Sequence, residues 1–303
     1  MDSKNIYTVE RSSGRLQKET VFGGGSLRFI YDTLLGRSLW GFFFNTSCLS
    51  SLLGRYYDSR RSRKNICKLA ALPGCSPQEA EFPQDTYESF NSFFVRRLKK
   101  GARPFDAAKD ILSSPADGRI MVWQELMPED AVPVKGAERT LNDLCCGRLP
   151  AGETLAAAVI RLAPVDYHRY HFPCSCRQDG EPLVVRGKYH SVNPVALAKR
   201  PDIYVENTRQ ITELVSDEFG TFFFVEVGAF GVGSIIQTAK PGEHFRQEEK
   251  GYFKFGGSTV ILIFSAGRLK WHDDLLANSA KGYETLIRCG EGIGMIPEQT
   301  YNH

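Results

Sequence analysis

From about residue 111 onward the chain is a succession of short β-prone runs separated by Gly, Pro and Asp turns. Runs at 120–123, 157–162, 222–227, 234–237 and 259–264 carry the pattern. No long helical period separates them, which argues against a doubly wound parallel sheet, because parallel strands need crossover helices. An antiparallel architecture remains. The 303 residues, 42% hydrophobic and 24% charged, supply enough apolar side chains for one large domain or two modest ones. The net charge of +3 is nearly balanced and gives no reason to expect a nucleic-acid partner.

The first third follows a different grammar. Leu27, Ile30, Tyr31, Leu34 and Leu35 recur at helical spacing, and apolar stretches continue to Leu53, so 26–57 reads as helical. Arg55, Arg60, Arg61, Arg63, Lys64 and Lys68 follow. Aromatics beside a basic cluster suit a helix lying in a membrane interface, and equally a core helix with a solvated charged face. Ser76-Pro77-Gln78-Glu79 has the form of a capped helix start. Tyr87, Phe90, Phe93, Phe94 and Leu98 predict a further helix over 86–99. The expected fold is α+β: N-terminal helices packed on a largely antiparallel β domain. The expected division is a helical region over 1–110, a candidate for membrane docking, and a β-rich domain over 111–303, whose catalytic role rests on the motifs it carries.

Met1 to Thr20 is polar and charged, with no apolar stretch of signal-peptide type. The best apolar run, 39–44, is far short of the ~20 residues that span a bilayer. None of the eight cysteines forms a CxxC pair, so free thiols in a reducing compartment are expected and no metal site.

Three stretches bear chemically useful side chains. Ser114-Pro115-Ala116-Asp117-Gly118-Arg119 is a turn that carries an acid. Asp166-Tyr167-His168-Arg169-Tyr170-His171 holds two histidines three apart. They are a hydrogen-bonded core pair, a metal pair lacking an evident third ligand, or an acid–base pair titrating near neutrality. Phe255-Gly256-Gly257-Ser258-Thr259 opens an apolar run. It is a hairpin turn, or a hydroxyl behind an uncrowded Gly257 carbonyl. Asp117, His171 and Ser258 together offer acid, base and hydroxyl, a combination recognised by geometry whatever the chain order. The absence of a G-x-S-x-G elbow disfavours an α/β-hydrolase.

In one order along the chain, these stretches resemble the phosphatidylserine decarboxylase family. The resemblance covers roughly residues 20–297. It rests on Phe90-Asn91-Ser92-Phe93-Phe94-Val95-Arg96-Arg97 with Arg103-Pro104, Pro115-Ala116-Asp117-Gly118, and Tyr167-His168-Arg169-Tyr170-His171-Phe172-Pro173. It continues through Ser191-Val192-Asn193-Pro194, Val227-Gly228-Ala229 with Val232-Gly233-Ser234-Ile235, Lys240-Pro241-Gly242-Glu243 and Gly257-Ser258-Thr259. Gly256 stands where the family has Leu before Gly-Ser-Thr, which makes the loop more flexible and leaves the scissile pair in place.

The resemblance implies two reactions at one site. His171, oriented by Asp117, takes the proton of Ser258, whose oxygen attacks the Gly257 carbonyl. β-Elimination then leaves a pyruvoyl group derived from Ser258 as the covalent cofactor. Chains 1–257 and 258–303 remain together as a heterodimer, and a homodimer is a further assembly open to it. The pyruvoyl group then decarboxylates phosphatidylserine to phosphatidylethanolamine through a Schiff base, an electron-sink role. His168 is the expected proton donor, because the resemblance places the first histidine of the pair beside the substrate. The substrate lies in a membrane, so a peripheral position on the cytoplasmic side of the cell membrane is expected. Two rivals use the same residues: a Ser-His-Asp hydrolase that keeps Ser258 intact, and a β-rich binding module without catalysis.

Overall fold

The computed structural model describes residues 7–18, 47–132, 134, 137–192, 194–229, 234–256 and 258–297. The helix expected over 26–57 is seen in its last part, Ser47–Asp58. The 39–44 run, Asn193, 232–233 and Gly257 lie outside the described residues.

All five predicted β runs fall on strands. One eleven-stranded sheet runs in the order His244–Arg246, Ser175–Arg177, Arg209–Ser216, Gly220–Gly228, Ser258–Ser265, Leu155–Leu162, Gly118–Leu126, Glu284–Ile287, Tyr7–Glu10 and Leu16–Lys18, with Leu183–Val185 also beside Arg209–Ser216. Its described pairings are antiparallel except that of Tyr7–Glu10 with Glu284–Ile287. The α+β reading, helices on a largely antiparallel sheet, therefore holds. The central strands read as continuous apolar runs because the sheet is covered on both faces. Val260, Leu262 and Phe264 enter one core, Ile261 and Ile263 the other.

A smaller sheet, Ile235–Gln237, Glu249–Phe253 and Arg169–His171, lies beside the large one and leads directly into Ser258. Helices Ser47–Asp58, Ile66–Ala70 and Phe90–Phe94 surround a third apolar cluster of Ile66, Leu69, Phe90, Phe93 and Phe94. Tyr57, Val165 and Phe255 pack against it, so the N-terminal helices close on the segment just before Ser258.

Two local expectations are corrected. The helix expected over 86–99 is only Phe90–Phe94. Ser89 and Ser92 form a reciprocal capping box that fixes its start. Its continuation is blocked because the following backbone pairs elsewhere: Glu81 N–H donates to Arg97 O and Lys99 N–H to Glu79 O. The start expected at Ser76 is a single 3-10 turn, Pro77–Glu79, without a side-chain cap. Glu79 spends its carboxylate on Arg103 and Arg288 instead. The first 110 residues also contribute two strands to the large sheet, so that region is not wholly helical.

Candidate active site

Ser258 opens the strand Ser258–Ser265 and is fully buried. Gly228 lies opposite it on one side and Leu162 on the other. A two-sided ladder therefore fixes the residue, while the chain entering it comes from outside the sheet. The helices hold that entry. Phe255 lies 4.6 Å from the Tyr57 ring, 4.9 Å from Phe90 and 5.2 Å from Phe94. Its N–H donates to Asn91 Oδ1 at 3.1 Å, and Asn91 Nδ2 donates to Asp58 at 3.0 Å. Lys254 pairs with the same aspartate.

His168 is fully buried and stacks on Phe94 with ring centroids 3.9 Å apart. Its Nδ1 lies 3.2 Å from Ser258 Oγ and its Nε2 3.0 Å from the Ala163 carbonyl oxygen. A carbonyl can only accept, so Nε2 carries the proton. Nδ1 then has its lone pair facing Ser258, and the hydroxyl donates to it. Burial above all, with the charges of Arg96 and Arg119, holds the His168 pKa down to about 3. The ring is thus neutral near pH 7, in the tautomer that can take the serine proton.

His171 closes the strand Arg169–His171. Its Nδ1 lies 3.4 Å from the Gln247 carbonyl oxygen, and its buried Nε2 has no hydrogen-bond partner among the described residues. Burial lowers its pKa, partly offset by Glu249. Asp117 is buried beside the strand Gly118–Leu126. A side chain at Gly118 would meet the Arg161 carbonyl oxygen at 2.7 Å, so glycine permits the close approach of neighbouring strands there. The Asp117 carboxylate accepts from Arg103 Nε at 2.8 Å, Arg103 Nη2 at 2.6 Å and the Cys289 N–H at 2.8 Å. Burial works against the charge of Arg103, but Asp117 and then Glu79 hold its pKa above the ordinary value.

The structure therefore brings His168, rather than His171, against Ser258. Among the described residues, no hydrogen bond joins His171 to Asp117 or to Ser258. Gly257, the other half of the expected scissile pair, lies outside the described residues. Sequence reasoning missed the groups that position these side chains. Asn91, Phe94 and Arg103 sit inside the short motifs already singled out, so their signal was present. The Ala163 carbonyl and the Cys289 amide are backbone groups and leave no mark in a sequence.

The sequence profile of the family described as phosphatidylserine decarboxylase matches residues 90–295. The chain is also similar along most of its length to proteins named phosphatidylserine decarboxylase proenzyme. One from Ruminiclostridium cellulolyticum is 40% identical over 95% of this chain and 97% of its own length. One from Chlamydia muridarum is 37% identical over 97% and 98%. One from Clostridium botulinum is 40% identical over 91% and 94%.

Proposed function

Because the chain belongs to the phosphatidylserine decarboxylase family, we propose that it is a proenzyme that breaks its own backbone before Ser258 and then decarboxylates phosphatidylserine. The observation that carries this reading is the contact between Ser258 Oγ and the unprotonated Nδ1 of His168. His168 takes the serine proton, and Oγ attacks the carbonyl carbon of Gly257, replacing the peptide bond by an ester. Removal of the Ser258 α-proton then expels the Gly257 carboxylate, and hydrolysis of the dehydroalanine releases ammonia. The residue left at position 258 is a pyruvoyl group.

The site suits that group. Residue 258 is held by the ladder to Gly228 and Leu162 and is buried away from bulk water. Once formed, the group supplies an electron sink for loss of the substrate carboxylate. His168 Nδ1 then faces the place where the serine oxygen had been, and it is the group positioned to carry the proton that replaces carbon dioxide. Asp117 holds Arg103 and the Cys289 amide.

A second reading makes His171, oriented by Asp117, the base for self-cleavage. The buried, unpartnered Nε2 of His171 favours it. That reading requires Asp117 to exchange a bond with Arg103 for one with His171.

No helix among the described residues is long and apolar enough to cross a membrane. Peripheral docking on the cytoplasmic face is the mode proposed here. Arg60, Arg61, Arg63, Lys64 and Lys68 are exposed on the N-terminal helices, with Leu52 and Phe82 exposed on the same part of the chain.

Intact-mass analysis of the purified protein tests the central claim. Two chains, 1–257 and a shorter piece beginning at 258 with a blocked N-terminus, are expected. Ser258→Ala should remain one inactive chain. His168→Ala should stop cleavage if His168 is the base, whereas loss confined to His171→Ala would select the second reading. A full-length chain that hydrolyses esters would point instead to a conventional serine hydrolase.

A further inference from the structure

The segment 163–167 that precedes His168 also forms one wall of a cavity of about 740 Å³. Asp117, Arg119, Arg103 and Arg96 line other parts of it. A cavity of this size accommodates a lipid headgroup and its glycerol. Its cations are not equivalent. Arg103 is neutralised by Asp117 and Glu79, and Arg119 by Asp166. Arg96 is 3% exposed yet pairs with no carboxylate among the described residues. Its Nε is buried without a partner. Its two terminal nitrogens make only long bonds of 3.5 Å, to the carbonyl oxygens of Phe93 and Val165. The guanidinium otherwise rests on the Phe93 ring, 4.9 Å from its centroid.

A buried, unpaired guanidinium is costly, because desolvation is not offset by an opposite charge. Such a group is retained where an anion arrives later. Arg96 follows the helix whose Phe94 stacks on His168, and it reaches Val165, two residues beyond the carbonyl that fixes the His168 tautomer. Arg96 is thus tied to the segment that carries His168, whose ring contacts Ser258. We propose that Arg96 is the anchor for the phosphodiester of the lipid substrate.

Phosphatidylserine brings two anions, and the reaction decides between them. The carboxylate must lose its charge as carbon dioxide departs. A guanidinium gripping it would stabilise the ground state more than the transition state and slow the step. The phosphodiester keeps its charge throughout, so binding it holds the substrate without opposing the chemistry. The planar, five-donor fork of arginine matches two phosphate oxygens at once.

The inference rests on the decarboxylase reading, and a binding cycle on mature protein tests it separately. Calorimetry compares dihexanoyl phosphatidylethanolamine with an analogue whose phosphodiester is replaced by an uncharged carbonate. Both ligands carry the same amine, so any reaction of the amine cancels. In the wild type the phosphate should improve binding by about ten- to a hundredfold, the range for a hydrogen bond to a charged group. In Arg96→Gln most of that advantage should vanish, and Arg96→Lys should keep part of it. Equal binding of the two ligands by the wild type overturns the proposal even if Arg96→Gln does not fold. So does an unchanged phosphate advantage in a folded Arg96→Gln. Intact mass, read on each preparation, keeps the two claims apart: wild type that never cleaves sinks the decarboxylase reading, while cleaved protein without phosphate coupling sinks only the anchor.

Discussion

Lys250→Met isolates the device that holds the small sheet against the large one. Lys250 is the extra residue of a β-bulge between Glu249 and Gly251, and the bulge turns its side chain into the core. Both Lys250 and Glu226 are fully buried. The ammonium donates to Glu226 Oε1 at 2.6 Å, Gln237 Oε1 at 2.9 Å and Thr212 Oγ1 at 3.0 Å, which uses all three of its protons. Glu226 Oε1 also accepts from Gln237 Nε2 at 3.1 Å, while Oε2 has no partner among the described residues. Methionine fills the volume of lysine but leaves that carboxylate with a single hydrogen bond and no cation. Breaking one side of a buried pair costs about 3–5 kcal/mol. At about 2 °C per kcal/mol for a large domain, the apparent melting temperature should fall by about 6–10 °C. Lys250→Met/Glu226→Leu removes both charges and should recover most of the loss, because a buried pair is often worth little against an apolar replacement. Thermal melts at one scan rate, with intact-mass time courses on the same preparations, read both stability and maturation. If the double variant melts as low as the single one, the loss comes from packing and the charge argument fails.

Other expectations concern protons, the entry to Ser258 and the surface. The folded-state pKa of His168, about 3, lies below the ordinary 6.5. Between those values the unfolded state binds more protons, so stability rises with pH across the window, is complete above about 6.5, and is lost as pH falls toward 3. His168→Phe should flatten the pH slope of stability by up to ~1.4 kcal/mol per pH unit at its steepest, and an unaltered slope in chemical denaturation would refute the buried neutral ring. Asn91→Ala deprives the Phe255 N–H and Asp58 of a partner, which should cost about 1–3 kcal/mol and slow self-cleavage. A lowered melting temperature with an unchanged cleavage half-time would show that the clamp serves stability alone. Neutralising the exposed Arg61, Lys64 and Lys68 should weaken binding to anionic vesicles by about fivefold per residue, from ~1 kcal/mol each, with little change on zwitterionic vesicles. Equal loss on both kinds of vesicle would contradict electrostatic docking.

The parts of this molecule that were legible in its sequence are those set by local chemistry. Apolar runs between turn residues marked the central strands, because strands buried on both faces need apolar side chains at every position. The short Phe90–Phe94 helix was overestimated for a tertiary reason: the apolar spacing continues to Leu98, but residues 97–99 pair with 79–81 and leave no backbone for another turn. Glu79 had the spacing of a capping residue and became a partner of Arg103 and Arg288. The site shows the same division. Ser258, Asp117 and the two histidines stood out by type and neighbourhood. Which histidine meets the serine depends on the Ala163 carbonyl, a backbone group that side-chain patterns do not record, and on the Phe94 ring, which is distant in the chain. The resemblance put the base at His171 and the proton donor at His168, and the hydrogen bond to Ser258 is made by His168.

That contact suits the proposed reading, in which the chain cuts itself once and must then keep working. The proposed cleavage separates residue 258 from the segment before it, and each side is held by different contacts. Residues 254–255 belong to the helical clamp, through Asp58, Asn91 and the ring cage. Residues 258–265 belong to the sheet, paired along their length with Gly220–Gly228 and Leu155–Leu162 and buried through Phe264. Neither set of contacts crosses the bond that breaks. The short chain should therefore stay in register after cleavage, and a neutral histidine beside its first residue can serve the maturation and then the substrate without moving. A base brought in on a mobile loop would serve the first reaction equally well. On the proposed reading, a base held by the Ala163 carbonyl and the Phe94 ring remains aligned for the second.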